Sequence, residues 1–341
     1  MDLIYMNAAK EDVGVLLHYD LDLAFGADEN NFSCTIDASE HCCKEGYFLY
    51  IEGTEYGGII DSVLSDTERG EVSYHGRTWQ GILGSRVVMP LRPSDASTNG
   101  VTVKTTDTNG SLMNKYLVLS GDANKCIQYI LDRVKLSALF TVSTEASAVI
   151  SGYQFDRYTD AYTGICKMLK SAGLKLLVEF KDGMVVLSAV TRYDYSQDEE
   201  FDSDSIGFRL KKNYKTVNHL VCLGSGELAD RMVVHLYADA LGNISQTQTL
   251  TGEDEYASVF DYPNAESEEE LVKSGTIELK ALWEQDELSV SFDPEEDLYG
   301  VGDIVGAYDN VTKISVSAEI IKKIVTIQNG HVTISYEVGE K

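Results

Sequence analysis

The sequence predicts an α+β chain, mainly β, with two antiparallel β-barrels and smaller α/β units beside them. Three observations predict it. Short apolar segments with period-two alternation, punctuated by Gly, Asp and Asn, fill residues 1–91 and return at the end of the chain. Between them the period changes, and two segments carry apolar residues at i, i+3, i+4 and i+7, as amphipathic helices do. No self-similarity at a spacing of roughly 20–50 residues suggests a repeat architecture.

The elements follow in order. "DLIYMN" opens a strand, and "FSCTID" and "GYFLYIEGTEYGGIIDSVLSDTERGEVSYHGRT" supply short alternating strands. Phe48, Tyr50 and Glu52 alternate with Leu49 and Ile51, which fits a sheet partly covered on both faces. Residues 1–91 therefore read as a first barrel completed by later strands. The stretch "YHGRTWQGILGSRVVMP", Tyr74 to Pro90, sits at its end. Gly76 is expected in a turn, Arg77 beside one of many acids, Trp79 with Ile82 and Leu83 inside, and Val87-Val88 in a strand. Arg and Trp together also suit the centre of an interface. A subunit contact or active-site loop and a barrel-closing clasp both remain open from these residues alone.

Residues 92–115 are rich in Ser, Thr, Asn, Asp and Gly and read as a long exposed loop. In "GDANKCIQYILDRVKL", Ile127, Ile130, Leu131 and Val134 share a helical face behind the N-cap candidate Asp122. "TDAYTGICKMLKSAG" does the same with Tyr162, Ile165, Cys166 and Leu169, and Gly173 stops it. "LKLLVEFKDGMVVLSAV" is a hairpin about Asp182-Gly183, a pair suited to a type I′ turn. Residues 116–193 thus form one peripheral α/β unit. "YDYSQDEEFDSDS" is an acidic connector. Residues 194–235 and 300–341 read as a second barrel, with a hairpin at Asn329-Gly330. "AEIIKKIVTI" is assigned to a strand for its β-branched content. Residues 236–299 make a second peripheral unit, with a hairpin about Gly242-Asn243 and an acid-led helix from Ser267.

The charge excludes some functions. With 28 Lys and Arg against 55 Asp and Glu, the net charge is −27. Such a surface repels nucleic acid and anionic membranes, whose phosphates need clustered cations. DNA that slides past without sticking is compatible with it. Tyr, at 20, outnumbers Phe and Trp and suits half-buried surfaces. No apolar run spans a membrane, and "MDLIYMNAAKEDVG" lacks the regions of a signal peptide, so synthesis in a cytoplasm without classical export is expected. The six cysteines show neither CxxC nor zinc spacing and read as small core residues in a reducing compartment.

Chemical motifs are sparse. The six histidines (His18, His41, His75, His219, His235 and His331) are not at helical ligand spacing, so a metal site would need long-range assembly. "LGSGELAD" lacks the third glycine of a dinucleotide fingerprint and the Gly-Lys-Ser of a phosphate loop, and reads as a turn. No GxSxG elbow occurs. The acidic runs "DEEFDSDS" and "EDEY…ESEEE" read as solvated faces rather than a glycosidase dyad. Asp20, Asp22, Asp202 and Asp204 offer calcium oxygens, but without an EF-hand loop. The reading assigns no catalytic residue, no cofactor and no metal.

Several of these segments resemble the tail-hub family of long-tailed phages. They are "VSYHGRTWQGILGSRVVMP", "VNHLVCLGSGELADRMVVHLYADALGNI", "YDYPNAESEEELVKSGTIELKAL" and "GVGDIVGAYDNVTKISVSAEIIKKIVTIQNGHVTISYEVG". The resemblance runs over nearly the whole chain and rests on segment order and wording, not on a catalytic signature. It implies two tail-tube-like barrels per chain and a homotrimer presenting six. A sixfold distal-tail or tail-tube protein would sit above and a threefold tip, fibre or spike protein below, at a virion tail tip or baseplate. Viral DNA would pass through an acidic lumen. Relatives often continue into a peptidoglycan-cleaving or receptor-binding module, whereas this sequence ends at "SYEVGEK", so a structural rather than enzymatic role is expected. Under that reading Gly76, Arg77 and Trp79 become a barrel-closing clasp or subunit contact. The competing readings are a cell-wall hydrolase and a carbohydrate-binding tail module.

Overall fold

A computed structural model describes residues 1–92, 94–104, 116–197, 200–202, 208–211, 216–263, 265, 267–283, 287–290 and 299–339. In chain order, β1 (Leu3–Met6) and β2 (Asp12–Leu16) form a hairpin. β3 (Asp20–Gly26) and β4 (Asn31–Asp37) form a second. After β5 (Phe48–Tyr50), β6 (Gly57–Asp66) and β7 (Glu71–Thr78) form a third. α1 (Trp79–Gly84) starts directly from β7. An α/β unit follows: β8 (Thr102–Val103), β9 (Val118–Asp122), α2 (Ala123–Val134), β10 (Phe140–Val142), β11 (Val149–Gln154), α3 (Ala161–Lys170), β12 (Leu174–Lys181) and β13 (Met184–Thr191). Beyond β14 (Glu200–Asp202) and β15 (Phe208–Lys211) lie β16 (His219–Leu223), β17 (Val233–Ala238), β18 (Ile244–Ser245), β19 (Ala257–Asp261) and α4 (Glu268–Trp283). β20 (Glu287–Val290) pairs with β15, and β21 (Ile304–Tyr308), β22 (Ser315–Gln328) and β23 (His331–Gly339) end the chain.

The chain is mainly β with small α/β parts, as its sequence predicts. The barrels take another form. The strands of residues 300–339 join those of residues 1–78 in one 11-stranded sheet, ordered β14-β21-β22-β3-β4-β7-β6-β5-β1-β2, with β23 also on β22. Among the described residues no sheet closes on itself. β22 links the two sets of strands: it pairs with β21 over Ser315–Glu319 and with β3 over Lys322–Ile327. Residues 216–235, expected in a second barrel, belong instead to the four-stranded sheet β18-β17-β16-β19. There β19 lies parallel to β16, and Leu271 and Leu279 of α4 cover the face of Leu220, Cys222, Val234 and Leu236. The acid-led helix is α4 itself, with Glu268, Glu269 and Glu270 in its first turn, where the dipole favours anions.

The local chemistry of the α/β unit follows the pattern of its sequence. Asp122 caps α2 by accepting from Lys125 N, and Asp160 caps α3 by accepting from Thr163 N. The β12–β13 turn holds Asp182 and Gly183 at φ 53° and 76°, and the β22–β23 turn holds Asn329 and Gly330 at 52° and 78°, as type I′ turns require. The loop expected over 92–115 is only partly a loop: Val101 and Val103 are buried, and β8 pairs with β9, because two valines at alternate positions suffice to seat a short edge strand. Residues 105–115 of that segment, and Ser203 and Asp204 of the acidic connector, lie outside the described residues.

Among the described residues three apolar cores result. One is built from residues of β1 to β7 and β21 to β23, across the main sheet. A second joins β5 to α1, α2, α3 and the β12–β13 hairpin. The third sits between α4 and its sheet. β5 divides its side chains between the first two: Phe48 and Tyr50 face the α/β unit, while Leu49 and Ile51 face the other way. All six cysteines are free thiols. Burial pushes Cys34, Cys126 and Cys166 up to about 12, so these thiols stay protonated and act as small apolar residues.

Candidate functional site

The segment singled out in the sequence stands at the joint between the main sheet and the α/β unit. Gly76 is not in a turn but in the middle of β7, opposite Phe32 of β4 and Ile60 of β6. The register between β6 and β7 slips between Ile60 and Ser62, which makes Asp61 the extra residue of a bulge. At the bulge the strands approach closely: a Cβ on Gly76 would lie 1.8 Å from the Ile59 carbonyl oxygen. Glycine is required here by that approach rather than by a turn.

The bulge aims Asp61 at Arg77. Its Oδ2 accepts from the Arg77 backbone N–H at 3.2 Å and from Nε at 2.7 Å, and its Oδ1 accepts from Nη2 at 2.7 Å. Arg77 Nη1 also donates to Ser85 Oγ at 3.0 Å. The hydrogen bonds from Arg77 hold the Asp61 carboxyl below the usual carboxylate range, and the same pairing raises the guanidinium. Arg77 is thus neutralised within its own chain, in a bidentate pair left about two-fifths exposed.

Trp79 opens α1, whose N-cap is Thr78, and it is fully buried. Its ring lies between Phe48 of β5, with centroids 6.1 Å apart, and Phe180 of β12, 5.4 Å away. Tyr50 closes on Phe180 at 4.0 Å. The backbone continues the link: Gly53 N donates to Phe180 O, and Phe180 N donates to Thr54 O. Ile82 and Leu83 are buried as expected. Val87 and Val88 form no strand. Val87 makes a single bridge to Asp160, and Val88 N donates to Thr159 O, so this stretch runs along the start of α3.

Beside Trp79 a cleft of about 200 Å³ separates the two layers, lined by Glu55, Gln80, Tyr162, Lys175, Tyr299 and Lys323 among others. Its ionic groups come from distant segments. Lys323, 2% exposed, donates to Glu55 Oε1 at 2.9 Å and lies 5.2–6.0 Å from the ring centroids of Tyr56, Phe25 and Tyr336. Lys175 pairs with the fully buried Asp303, which also accepts from Tyr193 N and Gly300 N. In a neighbouring pocket, Glu319 pairs with both Lys170 and Arg192 at 2.7 Å. Each of these carboxylates is held by at least one cation rather than left as a free base: the Asp303 and Glu319 pairs tie the α/β unit to the main sheet, and Lys323–Glu55 ties β22 to the β5–β6 loop.

Sequence reasoning missed Asp61, Glu55 and Lys323. The signals were present: "GGIIDSVLSD" breaks its alternation at Asp61, and two lysines interrupt the apolar run of "AEIIKKIVTI". Of the calcium candidates, Asp20 and Asp22 are exposed on β3, where partial burial raises Asp22. No group of three or more His, Cys, Asp or Glu is placed to hold a metal ion among the described residues. "LGSGELAD" is the turn between β16 and β17. No helix among the described residues is long and apolar enough to cross a membrane.

No protein-family model matches the chain, and no curated protein matches it. Solved structures do. The 43 kDa tail protein of prophage MuSo2 from Shewanella oneidensis matches with a TM-score of 0.60 at 11% identity, over 100% of this chain and 98% of that one. The prophage tail protein gp18 of Listeria monocytogenes EGD-e matches at 0.57 and 12% identity, over 100% and 95%. A tail protein of Neisseria meningitidis MC58 matches at 0.56 and 12% identity, over 100% and 96%. Over its whole length, this chain has the fold of prophage tail proteins.

Proposed function

We propose that the chain is a structural hub protein at the tip or baseplate of a phage-type tail, acting by assembly and not by turnover. The observation that carries this reading is a fold shared from end to end with prophage tail proteins, with each chain covering nearly all of the other. A homotrimer adapts a sixfold tail tube above to a threefold tip, fibre or spike below. The net charge of −27 per chain supports a lumen through which DNA passes without adhering. Gly76, Arg77 and Trp79 serve as a clasp inside the subunit: Trp79 is spent on the joint between layers, and Arg77 on Asp61.

Light scattering on a sizing column tests this, on the chain alone and co-expressed with tail-tube and distal-tail proteins. The expected result is a species near three times 37.6 kDa, with ring-shaped particles by negative stain. A chain that remains single under both conditions, or a purified protein that clears peptidoglycan, would overturn the reading.

A further inference from the structure

The four-stranded sheet has a face that α4 does not cover, and on it the fold gathers two of the six histidines. His219 on β16 and His235 on β17 sit diagonally across the ladder, since His219 pairs with Tyr237 and His235 with Val221. His219 Nε2 lies 2.8 Å from His235 Nδ1. On its other side, His219 Nδ1 lies 2.6 Å from Glu255 Oε1, just before β19. The Tyr237 ring stacks on His219 with centroids 4.4 Å apart. We propose that His219 and His235 form a binding site for a divalent transition-metal ion of the zinc class, with Glu255 orienting the first ligand.

The argument is chemical. A carboxylate on Nδ1 fixes His219 as the Nδ1–H tautomer and leaves the Nε2 lone pair pointing at His235, the carboxylate–histidine arrangement that orients and strengthens metal-bound imidazoles. Neutral imidazole suits zinc and its neighbours, and two nitrogens each about 2.0–2.1 Å from a tetrahedral ion stand roughly 3.3 Å apart. Opening the observed 2.8 Å separation to that distance is a change of about 0.5 Å, with both rings turning so that their lone pairs meet at the ion. Without metal, His235 Nδ1–H donates to His219 Nε2. On binding, that proton moves to His235 Nε2, both inner nitrogens bond the ion, and no net proton is released from the neutral pair. With no group of three protein ligands present among the described residues, water completes the coordination. The ion would clip β16 to β17 on the face opposite α4.

Titration calorimetry of the full chain with zinc chloride in chelator-free buffer at neutral pH tests the proposal. Saturable binding of one ion per chain is expected, weakened at least tenfold by His219→Gln or His235→Gln and about 10–100-fold by Glu255→Gln, with circular dichroism unchanged. His331→Gln, at the distant β22–β23 turn, should bind as the parent does. X-ray absorption of the loaded protein should show two imidazole nitrogens in the first coordination sphere. Zinc uptake identical in the His219→Gln/His235→Gln double variant, or no saturable uptake at millimolar zinc, would overturn the site.

Discussion

Trp79 concentrates the energetics of the joint in one side chain. It is fully buried, stacked near Phe48 and Phe180, and its indole N–H meets no acceptor among the described residues. Trp79→Ala is therefore expected to cost about 3–5 kcal/mol through lost burial and a residual cavity, read as a shift in the urea midpoint. Asp61 gives a pH signature. Its folded-state pKa is depressed, first by the hydrogen bonds from Arg77, so its contribution is fully present above its unfolded value near about 4 and is lost as the pH falls through the lower native value. The stability gap between the parent and Asp61→Asn should be constant at neutral pH and close on acidification; a gap independent of pH would show that the pair contributes nothing. The sequence made the burial of Trp79, Ile82 and Leu83 legible, because an apolar run directly after a strand must go inward. It did not reveal Gly76 as a point of close approach, because a glycine within a strand and a glycine in a turn look alike until the neighbouring strand is known.

At the scale of elements, what could be read depended on how local the physics was. Both capped helices, the Asp182-Gly183 and Asn329-Gly330 hairpins, and the strand over "AEIIKKIVTI" were legible because caps, turn dihedrals and side-chain period are decided within a few residues. β22 shows where this ends. Its buried residues fall on even numbers through Ile320 and on odd numbers from Lys323 to Ile327. The register slip between Ile320 and Lys322 switches the phase, and so turns Lys323 inward to Glu55. A bulge is set by its partner strand, so strict alternation read from the sequence misplaces one half of such a strand. The same reasoning explains β16 and β17: their alternation was visible, but their choice of a parallel partner in β19, rather than the main sheet, was not.

For the whole molecule, the distribution of cores predicts how it comes apart. The main sheet and the first α/β unit share the Trp79 joint, the Lys175–Asp303 pair and the pairs of Glu319 with Lys170 and Arg192, so they should unfold together. The α4 unit has an apolar core of its own. Calorimetry is expected to show two transitions, with hydrogen exchange over β16–β19 and α4 fastest in the lower one; a single transition with uniform exchange would show the units to be coupled. The pairing of β3 with β22 has a further consequence, for the order of events at the ribosome. Gly26 meets Lys322, so one edge of β3 has no neighbour until almost the entire chain has been translated. The nascent protein must carry an open, apolar strand through most of its synthesis, and contacts between such distant positions make for slow closure. Its yield in a cell should therefore depend on chaperone supply more steeply than its final stability would suggest.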